Sequence, residues 1–140
     1  MKMEVYLSEE VLESLSALRL DLSGANTDGF LIGHRRAHMF FIERIFPSRR
    51  GFFSSEKIFL SLIKLLHYRI LGFYSFLADQ KKTNKLLSPL FYGKLFLNIK
   101  INKKNQLVLT PFVIEHEKDF FLSPIKFNSN RLRKEQWIIP

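Results

Sequence analysis

A chain of 140 residues carries one domain with a real core and is too short for two. Its 46% apolar content excludes disorder over most of the length, and the absence of cysteine excludes disulfides, thiolate metal sites and a cysteine nucleophile. The formal net charge of +9 invites an anionic partner, nucleic acid or membrane surface.

That charge has a plainer reading as well. The basic residues fall in scattered pairs, Arg35-Arg36, Arg49-Arg50, Lys81-Lys82 and Lys103-Lys104, rather than in one stripe. Such pairs usually lie on solvated faces. Plentiful Lys, Phe, Asn and Ile is also what an AT-rich genome encodes. The 15 Phe, with the Leu, fill a core that needs no cofactor to explain it. Residues 1–7 lack the basic and apolar regions of a secretory signal. The longest apolar stretch, residues 58–78, is broken by Lys64, His67 and Arg69. A charge at the centre of a membrane span costs about 2.5–3.5 kcal/mol. A helix followed by a strand, in a cytoplasmic protein that does not enter a membrane, is the expectation.

Residues 3–7 alternate polar and apolar, the pattern of a half-buried strand. Ser8 then caps a helix whose first turn holds Glu9 and Glu10 and whose apolar face runs from Val11 to about Leu22. A loop follows over residues 23–28. Gly29-Phe30-Leu31-Ile32-Gly33 reads as a buried strand, residues 34–38 as a turn, and residues 39–46 as the returning strand of a hairpin. Ser54 or Ser55 caps a second helix, with Ile58, Phe59, Leu62, Ile63 and Leu66 at helical spacing.

Residues 70–77 have the apolar, aromatic character of a central buried strand. The polar residues 78–85 read as a connection. Residues 94–101 alternate well, Asn102-Lys103-Lys104-Asn105 makes a turn, and residues 107–115 pair back, with Pro111 marking an edge or bulge. A last strand covers residues 120–127. Residues 128–140 read as a basic tail or extra element anchored by Trp137, leaving a domain over residues 1–127.

This order resembles the MPN (JAB/JAMM) domain. Gly29-Phe30-Leu31-Ile32-Gly33 is similar to the family's Gly-x-Leu-x-Gly strand. Gly72-Phe73-Tyr74, after Ile70-Leu71, is similar to the Gly-Trp-Tyr that leads into its metal motif. The resemblance implies an α/β (α+β) fold, a mixed β-sheet flanked by helices with cytidine-deaminase-like layering. It covers about residues 4–127.

Active members of that family are zinc isopeptidases, with His-x-His, a downstream Ser-x-x-Asp and a Glu three residues before the glycine strand. Two imidazoles and a carboxylate hold the metal with one position open for water, and the Glu takes that water's proton. Laid on this chain, the histidines fall at Ser75 and Leu77 and the Glu at Asn26, with Asp28 nearby but out of register. The Ser-x-x-Asp is matched by Ser88 with Phe91 in the aspartate's place. The resemblance therefore implies a degenerate site with neither catalytic residues nor a metal cofactor.

The histidines, His34, His38, His67 and His116, read as isolated surface residues, and no serine has a Gly-x-Ser-x-Gly setting. Three function classes follow, in this order. The first is a catalytically inactive interaction or scaffold module, pairing with itself as a homodimer or with another MPN domain. Its surface is expected at Phe40, Phe41, Arg49, Arg50, Phe52, Phe53 and Trp137. The second is a nucleic-acid-binding protein using basic pairs beside aromatics. The third is a metal-dependent hydrolase with a rearranged site.

Overall fold

Alternating apolar residues make strand the commonest element among the described residues, and one strand is buried on both faces. The computed structural model describes residues 3–20, 27–47, 69–76, 78–129 and 132–140, with residues 60, 61 and 64 between. In order these form β1 (Glu4–Leu7), α1 (Glu9–Leu18), β2 (Asp28–Arg36), β3 (Met39–Pro47), β4 (Ile70–Phe76) and α2 (Gln80–Leu86). A 3-10 turn (Pro89–Phe91) leads to β5 (Leu95–Ile101), β6 (Leu107–His116), β7 (Phe120–Pro124), β8 (Lys126–Ser129), β9 (Leu132–Lys134) and β10 (Trp137–Ile139). The architecture is α+β, with one mixed sheet.

The strand order is β10-β6-β5-β4-β2-β3-β1-β8-β9, with β7 also on β6. Pairs β1–β3, β1–β8 and β4–β5 are parallel, and the hairpins β2–β3 and β5–β6 are antiparallel. Only Ile125 separates β7, which pairs with β6, from β8, which pairs with β1. One bent strand thus stitches the two ends of the sheet together and nearly closes it. Pro111 sits where β6 changes partners. Residues 107–109 face β10, residues 112–116 face β7, and the Pro111 carbonyl accepts from the Ile125 amide at 3.2 Å. A residue without an N–H fits that seam, because no donor is needed between the two partners.

Two bulges sit at one level of the sheet. Glu43 is the extra residue of β3 against β2, and Leu71 that of β4 against β2. Bulges add local twist, which suits a sheet that curls toward closure. They also fix which side chains face which core. The first core holds Val5, Val11, Leu15, Leu31, Tyr74 and Phe127, and α1 packs there through Val11 and Leu15. Ser8 caps α1 by accepting from the Val11 amide at 3.2 Å. On the other face Phe30, Ile70, Phe73, Leu86, Phe91 and Phe96 form a second core. Strand β4 lies between the two and is buried along its whole length.

Three sequence expectations change. The polar run after β4 is helical: Asp79 caps α2 by accepting from the Lys82 amide at 2.8 Å. That short helix buries only Leu86, so it has no apolar periodicity to announce it. The strand expected over residues 120–127 breaks at Ile125, and a boundary after residue 127 would cut β8. The last residues are strands of the sheet. The second helix expected from Ser54 or Ser55 lies outside the described residues, apart from helical backbone at Leu60, Ser61 and Lys64.

Gly72 is required by close approach, since a Cβ there would overlap the Leu95 backbone of the parallel neighbour. Gly72→Val is therefore expected to cost about 3 kcal/mol, the upper range for overpacking. Urea unfolding checks it; an unchanged midpoint would show that β4 and β5 separate without penalty.

Candidate functional site

The antiparallel register of β2 and β4 sets Asp28 directly opposite Ser75. Both lie on the face of Phe30 and Phe73, whose rings are 5.8 Å apart two pairs along the ladder. The Ser75 hydroxyl donates to Asp28 Oδ1 at 2.5 Å, and the Phe76 amide donates to the Thr27 carbonyl at 2.8 Å. Ser75 is 0% exposed and Asp28 6%. A buried carboxylate needs a cation or several donors.

Helix α2 brings that cation. Leu86 roots the helix in the second core, and Lys82, one turn earlier on the same face, reaches down to the carboxylate. Its Nζ lies 3.3 Å from Asp28 Oδ2 and 3.4 Å from Oδ1. The lysine side chain remains 36% exposed, so water screens this pair from one side. Next along β4, Tyr74 points to the opposite core, where its buried hydroxyl has no hydrogen-bond partner among the described residues. Burial, and after it the charge of Asp28, pushes the Tyr74 phenol above its ordinary range. A Cβ at Gly29 would overlap the Tyr74 ring, so the first glycine of the Gly29–Gly33 run is what lets that ring enter.

Chemically this cluster is closed. The serine hydroxyl is engaged as a donor to the carboxylate, and the carboxylate is shared between a hydroxyl and an ammonium. Neither is poised for nucleophilic attack, which needs a base facing the hydroxyl and an approach for substrate. Among the described residues no group of three or more His, Asp or Glu converges as a metal site. The donor set does not fit zinc: a hydroxyl stands where an imidazole is required, and an ammonium lies against the carboxylate.

Of the degenerate motif positions, Asn26 and Leu77 lie outside the described residues. Ser88 precedes the 3-10 turn, its hydroxyl buried and without a partner among the described residues. Phe91 is a core residue, its ring edge-on to Phe73 at 5.1 Å. The acid beside Ser75 is Asp28, two residues beyond the Asn26 position, and its cation is Lys82, which the sequence marks only as part of the basic pair Lys81-Lys82. The detectable signal for Lys82 was Asp79, a capping residue three positions earlier.

The histidines occupy separate places. His34 Nδ1 lies 2.6 Å from Glu43 Oε1, its ring stacks on Phe41 at 4.9 Å, and Arg69 donates to Glu43 Oε2 at 3.3 Å. The hydrogen bond from His34, aided by the Arg69 charge, holds the Glu43 carboxyl below its usual range. His116 packs on Phe120 at 4.6 Å, His38 Nδ1 is buried without a partner among the described residues, and His67 lies outside them.

The expected interaction surface is only partly available. Phe40 is 1% exposed, with the Arg35 guanidinium 4.9 Å above its ring, and cannot meet a partner. Trp137 is half-buried, edge-on to Phe127 at 5.9 Å. Phe41 is half-buried in an outward row running from His34 through Phe41 to Tyr6. Arg49, Arg50, Phe52 and Phe53 lie outside the described residues. Exposed rings that sequence reading missed are Tyr6, Phe46 and Tyr92.

No family model matches this chain, and no curated protein matches it. Solved structures do. The solution structure of protein DSY2949 from Desulfitobacterium hafniense is similar with a TM-score of 0.63 and 16% identity, covering 90% of this chain and 94% of that one. At that identity the likeness is one of fold. Among the described residues no helix is long and apolar enough to cross a membrane.

Two outcomes follow from this geometry. Lys82→Met leaves Asp28 buried without its cation and is expected to cost about 1–2 kcal/mol, less than a fully buried pair because the lysine is partly solvated. Adding Asp28→Asn should recover part of that loss in urea unfolding; a neutral Lys82→Met would mean the pair contributes nothing. Tyr74→Phe removes an unpartnered buried hydroxyl and should raise stability by about 1 kcal/mol at neutral pH. The folded phenol holds its proton more tightly than the unfolded one. Its contribution is complete below about pH 10 and is lost as pH rises above that. The variant should therefore lose stability less steeply than the parent in alkali, and equal slopes would refute the assignment.

Proposed function

We propose that this chain is a catalytically silent MPN-like domain acting as a protein–protein interaction module, paired with a second copy of itself or with another MPN domain. One observation carries the reading. At the end of the central strand, where an active member would hold its metal, Ser75, Asp28 and Lys82 form a closed charge-neutral cluster.

The order of elements supports the family likeness: β1, α1 and the β2–β3 hairpin, then β4, with β5 parallel to it and β6 returning. Asp79 caps α2, and Lys82, three residues on, turns into the cluster. In this reading the ammonium supplies the positive charge a divalent ion would bring. The carboxylate is stabilised, and the water-activating chemistry is gone.

What remains for function is surface. The row His34–Phe41–Tyr6 crosses three strands on the outer face of the sheet, with Phe46 exposed on the same strand as Phe41. Aromatic rings that hold their conformation against one another lose little entropy on docking, which suits them as interface anchors. A second copy is the simplest occupant, since one patch then serves both sides of a two-fold interface.

Light scattering at tens of micromolar, in low and high salt, tests the pairing, with elemental analysis of protein purified without chelators alongside. A dimer that survives salt, is dispersed by Tyr6→Arg with Phe46→Arg, and holds far less than one zinc per chain is the expected result. Stoichiometric zinc surviving dialysis would overturn the silent reading. A strict monomer that binds oligonucleotides tightly at physiological salt would replace the module with a nucleic-acid-binding protein.

A further inference from the structure

Two hollows share Tyr92 in their linings, and neither lining includes Ser75, Tyr6 or Phe41. One, of about 400 Å³, is lined by Arg35, Phe40, Gly93 and Lys94 as well as Tyr92. The other, of about 330 Å³, is lined by Pro89, His116 and Phe120 as well as Tyr92. Each falls within the range of small-ligand sites, about 300–1,000 Å³. The first is cationic and the second aromatic, and neither has an acidic side chain among its described lining residues.

The cationic hollow is rigidly built. Gly93 takes a positive φ of 79°, a conformation that favours glycine, and its amide donates to the Ile114 carbonyl at 2.8 Å. Lys94 follows, its amide donating to the Phe91 carbonyl at 3.0 Å and its carbonyl accepting from the Ile114 amide at 3.0 Å. Its side chain is half-buried, with Nζ donating to the Ile70 carbonyl at 2.9 Å. An ammonium has three N–H groups, and among the described residues the Ile70 carbonyl is its single acceptor. Burial without a counter-charge lowers the Lys94 pKa. Arg35 faces the same hollow, its Nε donating to the Ala37 carbonyl at 3.1 Å and its plane lying over Phe40. Among the described residues neither cation makes an ion pair.

The aromatic hollow presents Tyr92, which is 59% exposed, edge-on to Phe120 at 6.5 Å, with Phe120 in turn against His116 at 4.6 Å. An exposed tyrosine braced from behind offers a π-face for a planar group. Cations with open donors beside a ring of that kind match a phosphate joined to a base.

We propose that the joined hollows around Tyr92 bind a nucleotide unit, its phosphate on Lys94 and Arg35 and its base against Tyr92. The same chemistry is offered by a free nucleotide and by one unit of single-stranded nucleic acid, and the net charge of +9 suits either. The site is independent of the pairing surface proposed above, so either can fail alone.

Titration calorimetry on the full chain, with AMP, adenosine, inorganic phosphate and a twelve-nucleotide oligo(dA) as separate probes, tests this at two salt concentrations. AMP or the oligonucleotide should bind more tightly than adenosine and phosphate. Tyr92→Ala and Lys94→Met should each weaken that binding about 10-fold. Lys100→Met, an exposed lysine that lines neither hollow, should leave it unchanged. Lys94→Met removes a half-buried ammonium and Tyr92 is largely exposed, so both variants are expected to fold, with circular dichroism as the check. AMP binding that the oligonucleotide does not exceed identifies a free nucleotide. Tighter, strongly salt-dependent oligonucleotide binding identifies nucleic acid. No binding of AMP or oligonucleotide at millimolar concentration, phosphate binding as tight as AMP, or equal losses with Lys100→Met would each overturn the proposal.

Discussion

Strand β4 has neither a face nor an edge left for water. It lies between antiparallel β2 and parallel β5, with one hydrophobic core on each side. A strand in that position must satisfy its backbone from both neighbours and fill both cores with its own side chains. Leu71, Tyr74 and Phe76 serve one core, while Ile70 and Phe73 serve the other. The bulge at Leu71 explains why that assignment departs from strict alternation. Gly72 lets the Leu95 backbone come close, and Gly29 across the ladder leaves space for the Tyr74 ring. The glycines that looked like a motif are thus demanded by packing in any event.

Burying a hydroxyl on such a strand without a partner is costly, and Tyr74 carries that cost. Ser75 avoids it, since its hydroxyl finds an acceptor in a place that water does not reach. Asp28 supplies that acceptor and introduces a charge, which Lys82 compensates. The three satisfy one another in turn: the carboxylate accepts from the buried hydroxyl, and the ammonium offsets the buried carboxylate. Helix α2 has little apolar surface of its own. The position of Leu86 in the second core and the ion pair of Lys82 explain why this short polar segment is ordered as a helix against the sheet.

Much of this fold was legible in the chain. The hairpins of residues 29–46 and 94–116 follow from alternation and turn residues, and α1 follows from Ser8, Glu9 and Glu10 ahead of Val11. What escaped had physical causes. Helix α2 lacks an apolar stripe. The break at Ile125 comes from closure of the sheet, a long-range event that no local pattern records. Phe40 looks like Phe41 in the sequence, yet one faces the core and the other the outer face, because side chains alternate along β3. The site was half legible. Ser75 was found by its place at the end of the central strand. Asp28 became its partner only through a register that sequence counting could not set.

Two half-buried lysines bracket the parallel pair β4–β5, and they differ in a way that separates structure from function. Lys82 covers the C-terminal end, where a carboxylate compensates its charge and the cluster is closed. Lys94 reaches the N-terminal end, where its acceptor among the described residues is the uncharged Ile70 carbonyl. Burying an ammonium against a carbonyl alone lowers its proton affinity, and Lys94 does so at the lining of an open hollow. An anionic ligand would relieve that imbalance, while at Lys82 it would only compete with Asp28. The end of β4 that resembles an active site is therefore the end whose electrostatics are already satisfied, and the end with unspent charge is the one at Tyr92.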